Sequence, residues 1–156
     1  MLRKLLAILS AFLCFGLANQ GHAEDGYDLW LRYRPLESAA AERYAPQITT
    51  VVAPADRPTI GAAVEELQRG VKGLFGHDLV RRETVMHDGA VLLTRADSPL
   101  LRGLDLPFAR LGGEGYLLRS ATVRGKRVTI IAGNSDIGAL YGVFRFLALV
   151  QAGQPI

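Results

Sequence analysis

The chain has 156 residues, of which 49% are hydrophobic and 21% charged, with 18 Lys and Arg against 15 Asp and Glu. That length suits one ordinary domain able to bury roughly two-thirds of its unfolded surface. A formal net charge of +3 makes no electrostatic case for nucleic acid or anionic lipid as a partner.

Arg3 and Lys4 precede an apolar run from Leu5 to Leu17, interrupted only by Ser10 and Gly16. Gly21-His22-Ala23 then places small residues at the −3 and −1 positions of a cleavage point before Glu24. This pattern predicts an export signal over residues 1–23 and delivery to the periplasm or beyond the cell. The run is too short for a transmembrane anchor, and Leu13 is too large for a lipobox at Cys14. Loss of Arg3 and Lys4 with the signal takes the net charge from +3 to +1. Cys14 is the only cysteine, so residues 24–156 keep none. A disulfide framework, a thiolate metal site and a cysteine nucleophile are thereby excluded.

Tyr27 to Tyr33 alternates with period two: Tyr27, Leu29, Leu31 and Tyr33 on one side, Asp28, Trp30 and Arg32 on the other. That predicts a first strand, ended by Pro35. The Ala-rich stretch from Ser38 to Ala45 reads as a short surface helix before Pro46. Ile48 to Ala53 is a β-branched second strand, and Pro54 to Pro58 turns the chain into a helix with Pro58 in its first turn. In that helix Ile60, Ala63, Val64, Leu67, Val71, Leu74 and Phe75 fall within an arc of about 120°. Glu65, Glu66, Arg69 and Lys72 are expected on the far side, with Glu65 and Arg69 in the favourable i,i+4 order. Gly76 fits the C-terminal cap.

Leu79 to Glu83 and Ala90 to Thr94 predict two further strands, the second apolar enough for a sheet interior. Ser98 to Leu111 reads as irregular, with a helical turn at Pro99 and at Pro107. Gly115 to Val123 and Arg127 to Ala132 form a hairpin around Arg124-Gly125. Asn134 or Ser135 caps the last helix, whose first turn carries Asp136. In this helix Ile137, Leu140, Tyr141, Phe144, Leu147 and Ala148 share one face. Ala139, Val143, Phe146, Leu149 and Val150 lie opposite, and Arg145 is the only charge after Asp136. A helix apolar on both sides needs two partners. No residues follow to supply the second, so another domain is expected to cover it. The predicted fold is α/β (α+β-like): a mixed sheet with two main helices packed on one face.

The search for chemistry returns little. Glu114 and Asp136 sit in Gly-rich loops, and paired carboxylates are the tools of glycoside hydrolysis; loop anchoring and helix capping account for them as well. His77 and His87 lack a third ligand at metal spacing. Gly112 to Gly115 lacks the strand-then-helix setting of a dinucleotide site, and Gly133-Asn134-Ser135 is either an anion cradle or a tight turn into a capped helix. Gly138 and Gly142 form a ridge of small residues that invites close approach of another backbone, at a cost of roughly 1 kcal/mol per Gly against Ala. Trp30 and Tyr33 are aromatics that either stack on a sugar ring or pack the first strand. No catalytic residue, cofactor or metal site is assigned.

Four segments in series carry a resemblance. They are Asp25-Gly26-Tyr27-Asp28-Leu29-Trp30-Leu31-Arg32-Tyr33, Pro58-Thr59-Ile60 with Ala63 to Gly70, Gly113-Glu114-Gly115-Tyr116-Leu117-Leu118, and Asn134 to Phe144. Together they resemble the N-terminal domain of bacterial α-glucuronidases of glycoside hydrolase family 67, over nearly all of residues 24–156. The Glu-Gly-Tyr and Leu-Tyr-Gly pieces are also similar to the domain preceding the barrel in hexosaminidases.

The resemblance implies a three-part enzyme, in which an α/β domain precedes a (β/α)8 barrel and a helical C-terminal domain. Such enzymes remove glucuronic or 4-O-methyl-glucuronic acid from xylo-oligosaccharides with inversion. Their carboxylates lie in the barrel, so none maps onto this sequence. The chain is accordingly expected to be an accessory domain, inactive alone, that meets xylo-oligosaccharide only through a barrel docked on the 135–151 helix, with the Gly138 and Gly142 ridge at the closest approach. Two alternatives stand beside this reading: a free-standing exported module that binds carbohydrate or protein, and the corresponding domain of a hexosaminidase.

Overall fold

Runs of apolar, often β-branched residues bounded by turns build the centre of the sheet, where both faces are covered. The computed structural model describes residues 33–156. The predicted signal, Trp30 and all of the first strand except Tyr33 lie outside them. Among the described residues the chain runs α1 (Ser38–Tyr44), β1 (Thr50–Val52), α2 (Pro58–Phe75), β2 (Val80–Arg82), β3 (Ala90–Arg95), β4 (Tyr116–Val123), β5 (Lys126–Gly133) and α3 (Asp136–Gln151). The strands form one sheet in the order β2-β1-β3-β5-β4. β2, β1, β3 and β5 are parallel, and β4 pairs antiparallel with β5. The mixed sheet and the hairpin stand as the sequence predicts. Val123 pairs with Lys126 across Arg124 and Gly125, whose φ values of 51° and 75° are those of the turn that matches strand twist.

Strand alternation divides the interior into two cores. Val51, Val91, Leu93 and Ile131 face α2 and α3, where Ile60, Leu67, Val71, Phe146 and Leu147 cover them. Val52, Leu92, Val128, Ile130 and Ala132 point to the other face. Both main helices therefore lie on one side, as expected. The second side is covered by the irregular segment after β3, which packs Leu100, Leu101, Leu104, Leu106 and Phe108 onto the sheet. It contains 3-10 turns at Pro99–Leu101 and Phe108–Arg110.

α2 begins with Pro58 and ends at Gly76, whose φ of 75° lets its N–H donate to the Lys72 carbonyl. Its expected apolar arc is buried, with Phe75 half-buried. Glu66, expected on the far side, is instead buried at 4% exposure. Its carboxylate accepts from the Tyr33 hydroxyl at 2.5 Å and pairs with Arg69 at 2.7 Å. α2 thus has a second buried side, because Tyr33 packs beside Gly73 and Leu147 of α3 fills the space over Gly70.

In α3, Ser135 is the cap, its hydroxyl accepting from the Gly138 N–H at 3.1 Å. Ala139, Val143, Phe146, Leu147 and Val150 are buried. Leu147, grouped above with the outer face, belongs to the inner one, since it fits against Gly70. The opposite side exposes Ile137 at 46% and Tyr141 at 43%, with Leu140 and Phe144 half-buried and Arg145 and Ala148 exposed. No helix among the described residues is long and apolar enough to cross a membrane.

Candidate functional site

Parallel sheets concentrate ligand chemistry at the carboxyl ends of strands, where successive connections leave in opposite directions. Here that place lies between β1 and β3. The chain leaves β1 through α2 toward β2, and leaves β3 toward β4 and β5 on the other side. The loop after β1 carries Arg57, β3 ends on Arg95, the turn that follows carries Asp97, and the first turn of α3 adds Asp136. Asp136 Oδ1 lies 3.3 Å from Arg57 Nη1 and 3.8 Å from Arg95 Nη1, while Arg95 Nη2 lies 3.3 Å from Asp97 Oδ2. Arg95 Nε is buried without a hydrogen-bond partner. A cavity of about 290 Å³ opens beside this cluster, bounded by Pro54, Asp56 and Ser98 as well as the two arginines. With each arginine facing a carboxylate, the cluster ties the roots of β1, β3 and α3 together.

A larger cavity, about 760 Å³, lies next to it on the second face of the sheet. Its floor is Val52, Leu92 and Thr94, and Arg82 and Arg124 stand at its rim. The two cavities share Pro54, Thr94, Ser98 and Pro99. Arg81 also borders it, but its Nη2 donates to the Pro54 carbonyl at 2.5 Å and so secures the loop after β1.

The residues singled out in the sequence do not assemble into a catalytic pair. Asp136 is engaged by Arg57 and Arg95, while Glu114 is exposed in the loop before β4. Asn134 and Ser135 anchor that loop. Asn134 Nδ2 lies 2.7 Å from the Leu111 carbonyl and 3.0 Å from that of Phe108, and Ser135 Oγ donates to the Gly113 carbonyl at 2.6 Å. The Gly133-Asn134-Ser135 turn is therefore a structural joint, not an anion cradle. His77 is exposed and lies against Phe75 at a ring separation of 5.8 Å. His87 is exposed too, and the described residues hold no group of three or more potential metal ligands. The Tyr33 hydroxyl is bound to Glu66.

Gly138 and Gly142 are buried inside the domain, which corrects the expectation that they mark an outer docking ridge. A Cβ at 138 would stand 2.5 Å from the Gly115 carbonyl oxygen, and one at 142 would stand 2.8 Å from Ile131 Cγ2. The close approach that the two glycines permit is to the domain's own β4 and β5.

The arginine clusters escaped the sequence because their members are scattered from 57 to 124. A charge closing an otherwise buried strand, as Arg95 closes β3 after Thr94, is the local signal that points there.

Residues 29–146 match the family described as "Glycosyl hydrolase family 67 N-terminus". Alpha-glucuronidase A of Emericella nidulans is 34% identical over 140 residues, covering 85% of this chain and 16% of the relative. The probable alpha-glucuronidase A of Aspergillus oryzae is 31% identical over 136 residues, and the alpha-glucuronidase of Hypocrea jecorina 32% over 143; each alignment covers 84% of this chain and 16% of the relative. The chain thus spans 16% of the length of these curated relatives. With more than half of its residues inside the family match, and with the sheet and helices arranged as described, the chain belongs to glycosyl hydrolase family 67, of which it carries the N-terminal domain.

Proposed function

We propose that this chain is the accessory domain of an exported α-glucuronidase. Its role is to support a (β/α)8 barrel that removes glucuronic or 4-O-methyl-glucuronic acid from xylo-oligosaccharides in xylan degradation. The observation that carries the reading is the match to a family N-terminus in a chain spanning 16% of its α-glucuronidase relatives. The outer side of α3 supports the docking part of it. Ile137 and Tyr141 are among the few large apolar side chains exposed among the described residues, and half-buried Phe144 lies beside them. Apolar surface gathered in this way marks interaction sites. Export is supported by Arg3, Lys4, the Leu5–Leu17 run and Gly21-His22-Ala23.

Two measurements test the proposal. The purified chain should release no glucuronic acid from aldouronic oligosaccharides, and clear turnover would sink the accessory role. Sequencing past the codon for Ile156 should find a barrel, in frame or beyond one frameshift. A terminator with no barrel would favour a free-standing binding module, and a barrel with the paired Asp-Glu of hexosaminidases would place the domain in a different enzyme.

A further inference from the structure

The 760 Å³ cavity on the second sheet face falls within the range of small-ligand sites, about 300–1,000 Å³. It has an apolar floor, from Val52 and Leu92, and a cationic rim. Arg82 pairs in register with Val52, and Val52 with Leu92, so strand alternation sends all three side chains to the same face. Arg124 reaches the cavity from the β4–β5 turn. Neither Arg82 nor Arg124 has an ion-pair partner among the described residues, and Glu83 is the one carboxylate in the lining. Thr94 is 4% exposed and lines the cavity, and the described residues supply its hydroxyl with no hydrogen-bond partner. A hydroxyl that opens to the cavity with no protein partner is available to hydrogen-bond a ligand there.

We propose that this groove binds a carboxylate-bearing sugar, with Arg82 and Arg124 gripping the carboxylate and Thr94 hydrogen-bonding a ring hydroxyl. Guanidinium groups suit carboxylates because their planar fork can donate two parallel hydrogen bonds. A neutral sugar would leave the two arginines unpaired. The choice of a uronic acid over other carboxylates rests on the α-glucuronidase reading. The groove would hold product or a substrate branch on a surface separate from the α3 docking side.

The test is a titration of the whole chain with sodium glucuronate, followed by amide NMR shifts, with glucose, acetate and inorganic phosphate as parallel probes. Saturable shifts at Arg82, Thr94, Leu100 and Arg124 are expected with glucuronate alone. Arg82→Gln combined with Arg124→Asn, chosen because Asn tolerates the positive φ of the turn, should weaken binding by about tenfold or more while the thermal melt stays in place. Absence of saturation overturns the proposal. So does equal binding of acetate or phosphate, or glucuronate binding that survives the double variant. Neither Arg82 nor Arg124 is on α3, so a groove that fails leaves the accessory role standing, and a downstream barrel of another family would not remove measured glucuronate binding.

Discussion

Gly138 of α3 lies against Gly115 at the entrance to β4, so close that a side chain at 138 would stand 2.5 Å from the Gly115 carbonyl oxygen. The obstacle is backbone on both sides, and the Asn134 N–H donates to the same carbonyl at 3.2 Å. Neither partner can yield by changing a rotamer. Gly138→Ala should therefore destabilise the domain by about 1–3 kcal/mol through overpacking. Gly61, inside α2 with open space around it, is the control. Gly61→Ala should stabilise by about 0.5–1 kcal/mol from helix propensity. Denaturant melts of the two variants, moving in opposite directions, check both statements.

Burial of Glu66 is the second point to test. Its carboxylate sits at 4% exposure between the Tyr33 hydroxyl and Arg69. Glu66→Ala removes the acceptor for both and should cost about 1–3 kcal/mol. Glu65→Ala, one residue away on the exposed side of the helix, should stay within about 0.5 kcal/mol of wild type. A melt that ranks the two positions equally would contradict the burial.

Asp88 gives the fold a pH dependence of known sign. The Arg127 backbone N–H donates to Asp88 Oδ1 at 3.0 Å and the Arg127 guanidinium lies at 3.3 Å from Oδ2. These hold the carboxyl below its ordinary value of 3.8, the backbone bond being the larger cause. A carboxyl depressed in the folded state contributes stability above its unfolded pKa and loses it as pH falls through the folded pKa. Asp88→Asn should therefore lower the melting temperature at neutral pH, and the gap to wild type should close below about pH 3.8. Thermal melts between pH 7 and pH 2 read this directly.

The outer side of α3 predicts solubility more than stability. Ile137→Lys with Tyr141→Lys should change the folding free energy by no more than about 0.5 kcal/mol per site. The double variant should bind less of an apolar dye and remain monomeric at higher concentration than wild type. Unchanged dye binding would show that the strip is not the apolar surface on offer.

Much of the fold was legible because its signals are local. Pro58 and Gly76 bracket α2, Arg124-Gly125 marks the hairpin, and the Asn134-Ser135 pair marks the start of α3. The apolar run after Gly89 reads as an interior strand. What escaped depends on distance in the sequence. Glu66 reads as a surface residue until Tyr33 is brought to it. Gly138 and Gly142 read as an outward ridge, because nothing in their spacing says that β4 and β5 fill it. The second core face is covered by Leu100, Leu101, Leu104, Leu106 and Phe108, whose irregular spacing carries no period. The site was least legible of all, since Arg57, Arg95 and Asp136 meet only where three connections converge.

Gly70 sets a distance. Leu147 occupies the space where its side chain would be, with Cδ2 only 2.5 Å from that position. The standoff between α2 and α3 is therefore gauged by one absent methyl group. A larger residue there must either turn the Leu147 side chain aside or lift α3 from α2, and in the second case Ile137 and Tyr141 are re-aimed together. Where the helix moves, a mutation at this interior position would surface as a change in the angle at which the domain meets whatever it abuts.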